Sequence, residues 1–242
     1  MAEKSDLSFI DRIRKSVGRA VNRYGLIGAG DRIAVAISGG KDSLVMLEAL
    51  ALRKKHIPIH YDLFAIHVKI DSVPYEIDRA YYEKFCSDLG IPFHFRTVSL
   101  GLDDPKKSVC FLCSWTRRRE LFTVSSELGC NRLALGHHMD DAVETLLMNM
   151  TFNGAISSMP ARLSMFDGEI DIIRPLILLT DRELLRYSGI RRFPEQKAVC
   201  PYGKNNKRAD IKNIVSELQK LNRKAKKNMF ASMSNIHKDY LP

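Results

Sequence analysis

The chain is poor in cysteine and almost without tryptophan, with five of the first and one of the second in 242 residues. So sparse and odd a cysteine set excludes a disulfide-built secreted scaffold, which relies on an even, dense framework. No apolar run approaches the length of a membrane-spanning helix, about eighteen residues. Residues 1–6 are polar, and the apolar residues after them are spaced as on one helix face rather than packed as the core of a signal peptide. These absences give the expectation of a cytoplasmic protein with no membrane attachment. Internal repeats and low-complexity tracts are missing as well. Acidic charge is in deficit: 28 Asp plus Glu face 38 Lys plus Arg, a formal net charge of +10. That excess favours polyanionic partners, because each neutralised phosphate releases condensed counterions.

What is present is an alternation of short apolar runs and helical patterns, in a chain long enough for one sizeable core. An amphipathic helix opens it, up to residue 24. Strands are expected at 32–37, 63–68, 93–98, 132–135 and 170–173, and helices at 43–55, 76–89 and 114–128, the last two closed by Gly90 and Gly129. Such alternation reads as an α/β fold, a parallel five-stranded sheet flanked by helices with helical additions at both ends. The expected division is 1–30, 31–203 and a basic extension, 204–242. Ligands on such a sheet bind beyond the carboxyl ends of its strands, where the loops at Ser38, His67 and Gly136 converge.

The first of these loops is Ser38-Gly39-Gly40-Lys41-Asp42-Ser43, set between an apolar strand and a helix. Two glycines allow a tight turn that points backbone N–H groups at an anion, and the helix adds the positive end of its dipole. Lys41 can neutralise phosphate charge, so ATP is the expected ligand. The spacing fits neither a Walker loop nor a dinucleotide fingerprint. A second constellation, Cys110-Phe111-Leu112-Cys113 with the distant Cys200-Pro201, offers three thiolates at minimum. A closed zinc site would need Cys86, Cys130 or a histidine as fourth ligand; Cys86 and Cys130 read as core residues, as does Trp115. The third segment, Gly136-His137-His138-Met139-Asp140-Asp141, leaves a strand for a helix that carries Glu144, and brings carboxylates to the same crevice.

The loop resembles the SGGxDS pyrophosphate loop of N-type ATP pyrophosphatases, the PP-loop superfamily. Taken in order with CFLC at 110–113, Arg117-Arg118, LGHHMDD at 135–141 and Cys200-Pro201, it is similar to the TtcA-like tRNA thiolases from the opening helix to about residue 208. The resemblance implies a 4Fe-4S cluster on Cys110, Cys113 and Cys200 with one iron lacking a protein ligand. It also implies ATP as co-substrate, and a tRNA whose pyrimidine is adenylated at the C2 oxygen and thiolated, with cytidine foremost because the extra C-x-x-C modules of the uridine branch are missing. By the same resemblance Ser38 to Ser43 and Gly136 bind the phosphates, and the backbone at Ile66, His67 and Val68 binds adenine. Asp42 is a candidate Mg2+ ligand. Lys41, Asp42, Asp141 and Asp140 are the candidate catalytic groups. Implied partners are tRNA and a sulfur donor, either sulfide or a cysteine desulfurase system, with a homodimer left open. Basic clusters at 117–119, 191–192, 204–208 and 220–227 offer phosphate contacts. Two other readings stay open: a PP-loop enzyme acting on a small molecule or free nucleoside, and a zinc-stabilised sensor that binds ATP or nucleic acid without turnover.

Overall fold

The computed structural model describes residues 2–73, 77–100, 109–194 and 207–240. Strands β1 (Arg32–Ala36), β2 (Asp62–Ile70), β3 (Phe93–Val98), β4 (Arg132–Ala134), β5 (Arg162–Met165) and β6 (Ile170–Ile173) form one sheet in the order β3-β2-β1-β4-β6-β5. All are parallel except β5, which pairs antiparallel with β6. The expected five-stranded sheet is thus corrected by one edge strand. Arg162-Leu163-Ser164-Met165 carries no buried face to produce an alternating pattern. It is set instead by the return turn at Phe166, Asp167 and Gly168, all at positive φ (51°, 53° and 95°).

Around the sheet lie α1 (Ala2–Arg23), α2 (Lys41–Lys54), α3 (Arg79–Asp88), α4 (Val109–Glu127), α5 (Met139–Asn153), α6 (Asp181–Arg191), α7 (Lys207–Leu221) and α8 (Ala225–Ser232). Ile33, Ala34 and Val35 of β1 are completely buried, as a central parallel strand covered on both faces requires. The following helix, α2, is buried without interruption from Ser43 to Ala51, sealed by Ile13 and Val17 of α1 and by Leu184 and Tyr187 of α6. A helix covered all round has no polar face to display. Among the described residues no helix is long and apolar enough to cross a membrane.

Two features fix the frame on which the site is built. At the amino end of the sheet Asp31 accepts hydrogen bonds from Gly28 N (2.7 Å), Asn131 Nδ2 (2.7 Å) and Arg132 Nε (3.0 Å), while Asp171 pairs with Arg132 and accepts from Arg162 Nε at 2.9 Å. These buried charges are matched, and they staple β1, β4 and β6 together. At the opposite end the strand order reverses between β1 and β4, since the chain runs outward through β2 and β3 before returning to the other side of β1. That reversal opens a crevice. Beside it a separate apolar cluster of Val143, Ile211 and Val215, with Met229 and Phe230 against it, docks α7 and α8 onto α5.

Candidate active site

The loop after β1 is held in shape from below. Gly39 has φ of +92°, which favours glycine. Its carbonyl accepts the hydroxyl proton of buried Tyr82 at 2.6 Å. Because the C=O and the next N–H of a trans peptide point in opposite directions, this contact turns Gly40 N–H outward, where it donates to Ser38 Oγ at 3.2 Å. Ser43 Oγ donates to Gly40 O at 2.8 Å and accepts from Ser38 N at 3.3 Å. The result is a closed cradle on the amino end of α2.

The loop after β4 meets it. A Cβ on Gly136 would lie 3.4 Å from both the Asp42 carbonyl carbon and the Ser43 nitrogen, so the two backbones pass close together, with little room for a larger side chain. Between them is a cavity of about 260 Å³ lined by Ser38, Asp42, Ser43, Val68, Gly136, His137, His138 and Asp141, with Arg117 and Leu121 of α4 forming the far wall. Of the residues expected to hold adenine, Val68 reaches this wall. Ile66 and His67 act from beneath it: Ile66 O accepts from Ile37 N at 2.8 Å, and His67 Nδ1 donates to Ile37 O at 2.7 Å. Burial pushes the His67 pKa down to about 4, so the ring is neutral and structural at pH 7.

Lys41 is engaged by two carboxylates, with Nζ 3.0 Å from Asp42 Oδ1 and 2.7 Å from Asp181 Oδ1. Burial works against its charge, but these carboxylates outweigh it and hold the ammonium above the usual lysine range. Asp42, His138 and Asp181 each offer a donor atom within 4.8 Å of the others, a set able to take a divalent cation once Lys41 withdraws. The two adjacent aspartates at the start of α5 separate in role. Asp141 faces the cavity and its Oδ2 accepts from His138 N at 2.9 Å, closing the first turn of the helix. Asp140 is buried against the neighbouring helices; Oδ2 accepts from Asp181 N at 3.0 Å and Oδ1 from Lys226 Nζ. Burial alone would raise its pKa, yet His138, Lys226 and the Asp181 N–H together hold it well below the usual carboxylate range. Both oxygens are spoken for. His138 is raised, its burial outweighed by Asp140, Asp141 and Asp42, whereas burial drives His137 down to about 4.

The helix carrying the cysteine pair, α4, begins at Val109, five residues before the expected start. Cys110 and Cys113 therefore sit in its first turn, one exposed and one half-buried, and Arg117 and Leu121 continue the same side into the cavity wall. Arg117 Nε is buried with no hydrogen-bond partner among the described residues, an orphan donor in a wall facing a phosphate cradle. Cys86 and Cys130 are buried among apolar neighbours, their thiols pushed up to about 12 and about 11. Cys200 lies outside the described residues. Trp115 is half exposed beneath the Arg119 guanidinium, 4.9 Å from its ring centre, and so stands on the outer face of α4 rather than in the core.

Sequence reasoning missed Asp181, and it read Arg208 and Lys226 only as members of basic clusters, not as partners of the α5 carboxylates. Thr180-Asp181-Arg182-Glu183 is a readable capping box, in which Glu183 N donates to Thr180 Oγ1 and Thr180 N to Glu183 Oε2, and it would have located the start of α6. Arg208, 3.4 Å from Glu144 and 3.9 Å from Asp141, has no such local signal, nor has Lys226.

A phosphate cradle at the switch point of a largely parallel sheet, walled by an arginine whose buried Nε has no partner among the described residues, defines an α/β nucleotide-binding protein. The PP-loop domain family model matches residues 11–197. The tRNA-cytidine(32) 2-sulfurtransferase of Geobacter sulfurreducens is 36% identical over 97% of this chain and 95% of its own length. The protein of the same name from Citrifermentans bemidjiense is 34% identical over 100% and 96%. Among solved structures, the U34-tRNA thiolase NcsA from Methanococcus maripaludis with its 4Fe-4S cluster superposes with a TM-score of 0.76 at 25% identity, over 98% of this chain and 81% of that one. The chain belongs to the PP-loop family and, within it, to the family of the tRNA-cytidine(32) 2-sulfurtransferases.

Proposed function

We propose that this protein is an ATP-dependent, 4Fe-4S-dependent tRNA 2-thiolation enzyme acting on cytidine, with AMP and pyrophosphate as products. One observation carries the reading: α4 bears Cys110 and Cys113 in its first turn and Arg117 in the wall of the phosphate-loop cavity, so sulfur chemistry and nucleotide chemistry share one helix side. ATP fills the Ser38–Ser43 cradle. Lys41 leaves Asp181 for the phosphates, and Asp42 becomes a Mg2+ ligand. The C2 oxygen of the pyrimidine attacks the α phosphorus, pyrophosphate departs, and the oxygen later leaves as part of AMP when sulfide adds to C2. Arg117 Nε and the loop amides stabilise charge growing on the phosphates, the electrostatic role that dominates such transfers. Asp141, the aspartate that faces the cavity, is the candidate for proton handling.

Cys110 and Cys113 fit two corners of a cluster, being thiols about one helical turn apart, one exposed and one half-buried; Cys200 is proposed as the third ligand. When bound, the cluster supplies an iron that can carry sulfide to the activated base. Nucleoside mass analysis of tRNA from cells with and without the gene tests the function: 2-thiocytidine should vanish without it, and unaltered tRNA refutes the reading. Protein purified without oxygen should be brown, with iron and labile sulfide. A colourless protein with one tightly held zinc would mark a sensor instead.

A further inference from the structure

The basic run at 220–227 reads in sequence as a solvated or RNA-facing helix. In the fold its members part company: Lys224 and Lys227 are exposed, whereas Lys226 is turned inward, with its side chain only 18% exposed, onto the Asp140 carboxylate. From there a line of contacts leads to the phosphate loop. Asp140 Oδ2 accepts from Asp181 N at 3.0 Å, at the first residue of α6; Asp181 Oδ1 meets Lys41 Nζ at 2.7 Å; and Lys41 meets Asp42 at 3.0 Å. The C-terminal helix pair is firmly seated for this task, since Met229 and Phe230 of α8 and Ile211 and Val215 of α7 pack against Val143 and its neighbours on α5.

We propose that Lys226 is a positioning residue for ATP binding: through Asp140 it fixes the amino end of α6, and through Asp181 it sets where the phosphate-loop lysine waits. The C-terminal helices thereby complete the nucleotide site. Without the Lys226 ammonium, a buried carboxylate keeps only His138 and the Asp181 N–H as partners, in a pocket that must accept a polyanion. Electrostatics and lost alignment then act in the same direction, and both weaken ATP. Charged groups around Asp140 from the other elements are His138 before α5, Asp181 on α6 and Lys212 on α7, with Glu144 one turn further along α5; Lys212 meets Asp181 Oδ2 at 3.9 Å, so the ammonium on Asp140 itself is that of Lys226.

The inference rests on ATP being the ligand of the loop, and the test separates the two. Anaerobically reconstituted protein is titrated calorimetrically with a non-hydrolysable ATP analogue and Mg2+, and separately with tRNA. Lys226→Met keeps the aliphatic stem on α8 and is expected to weaken the analogue roughly 5- to 50-fold, in the lower part of the usual range of such coupling, while tRNA affinity changes less than about twofold. In turnover assays KM for ATP should rise with kcat nearly unchanged. Lys226→Arg should restore most of the affinity, and Lys227→Gln should leave it at the wild-type value. The double variant K226M/D140N should bind the analogue better than Lys226→Met alone, because the carboxamide introduced by Asp140→Asn can still accept from Asp181 N with no buried charge left to balance. Wild-type analogue affinity in Lys226→Met overturns the inference, as does a loss confined to tRNA, which would place Lys226 at the RNA surface. A wild-type protein that binds no ATP analogue refutes the assignment of the loop, and this inference with it.

Discussion

Replacing Tyr82 by Phe should loosen the phosphate loop without touching it chemically. Tyr82 is 2% exposed, with its ring edge-on to Tyr81 at 5.6 Å and beside Phe93 at 6.5 Å. Phenylalanine keeps that ring packing and leaves no apolar void. What is lost is the 2.6 Å hydrogen bond to the buried Gly39 carbonyl. An acceptor stranded in this way costs about 1–3 kcal/mol of folding stability. With this contact gone, the Gly39–Gly40 peptide is held only by the 3.2 Å bond from Gly40 N to Ser38 Oγ, and the cradle is less firmly pre-set for the ligand. Re-ordering even one residue on binding costs about 1 kcal/mol, which corresponds to roughly fivefold weaker ATP. Urea unfolding measures the first quantity and calorimetric titration with an ATP analogue the second. Stability and affinity both equal to wild type would refute the argument. A fall in stability with affinity intact would show that the hydroxyl supports the fold but does not shape the loop.

Gly136→Val should push the β4–α5 loop off the phosphate loop, since even a Cβ meets Asp42 and Ser43 backbone at 3.4 Å; overpacking of about 1–3 kcal/mol in urea melts and a raised KM for ATP are expected. Arg132→Met leaves Asp31 and Asp171 buried without their shared partner and should cost about 3–5 kcal/mol in the same melts, while ATP affinity in the folded fraction stays unchanged because the staple lies at the far end of the sheet. His67 should make the protein acid-sensitive. Its pKa falls from 6.5 unfolded to about 4 folded, so its stabilisation is complete above pH 6.5 and is lost as pH drops towards 4. By linkage the loss is about 2 kcal/mol at pH 5. Unfolding of His67→Gln, compared with wild type at pH 7.5 and pH 5, should show a smaller acid loss; an equal loss in both proteins would contradict the sign or the site.

The parts of this molecule that were legible in its sequence are those whose cause is local. Ser38 to Ser43 announces a phosphate cradle because glycines, the helix start and the anion-facing N–H groups all fall within six residues, and the cradle appears in the fold where the apolar run ends. Strands β1, β2, β4 and β6 were readable for a related reason, since covered parallel strands are largely apolar runs, and β3, at the sheet edge, was readable from its aromatic and β-branched residues. β5 was not, because an exposed edge strand is held by its neighbour's hydrogen bonds and a tight turn, neither of which leaves an apolar signature. The extra turn of α4 was missed because Val109-Cys110-Phe111-Leu112-Cys113 is a continuous apolar run with no polar face, so it carries no helical period.

Asp140 and Asp141 show where reading must give way to topology. Adjacent in sequence and chemically alike, they both stand as catalytic candidates, with Asp141 preferred, until α6 and α8 are brought alongside. Asp140 then points to the amino end of a helix 41 residues later and to a lysine 86 residues later, while Asp141 faces the cavity. The same logic divides the basic tail. Lys226 differs from Lys224 and Lys227 in no local property, yet the apolar seat of α8 on α5 rotates it alone towards a carboxylate. Charge composition therefore gives an upper bound on the surface available to a polyanion: any cation consumed inside the fold must be subtracted, and only the packing of its own helix says which one that is.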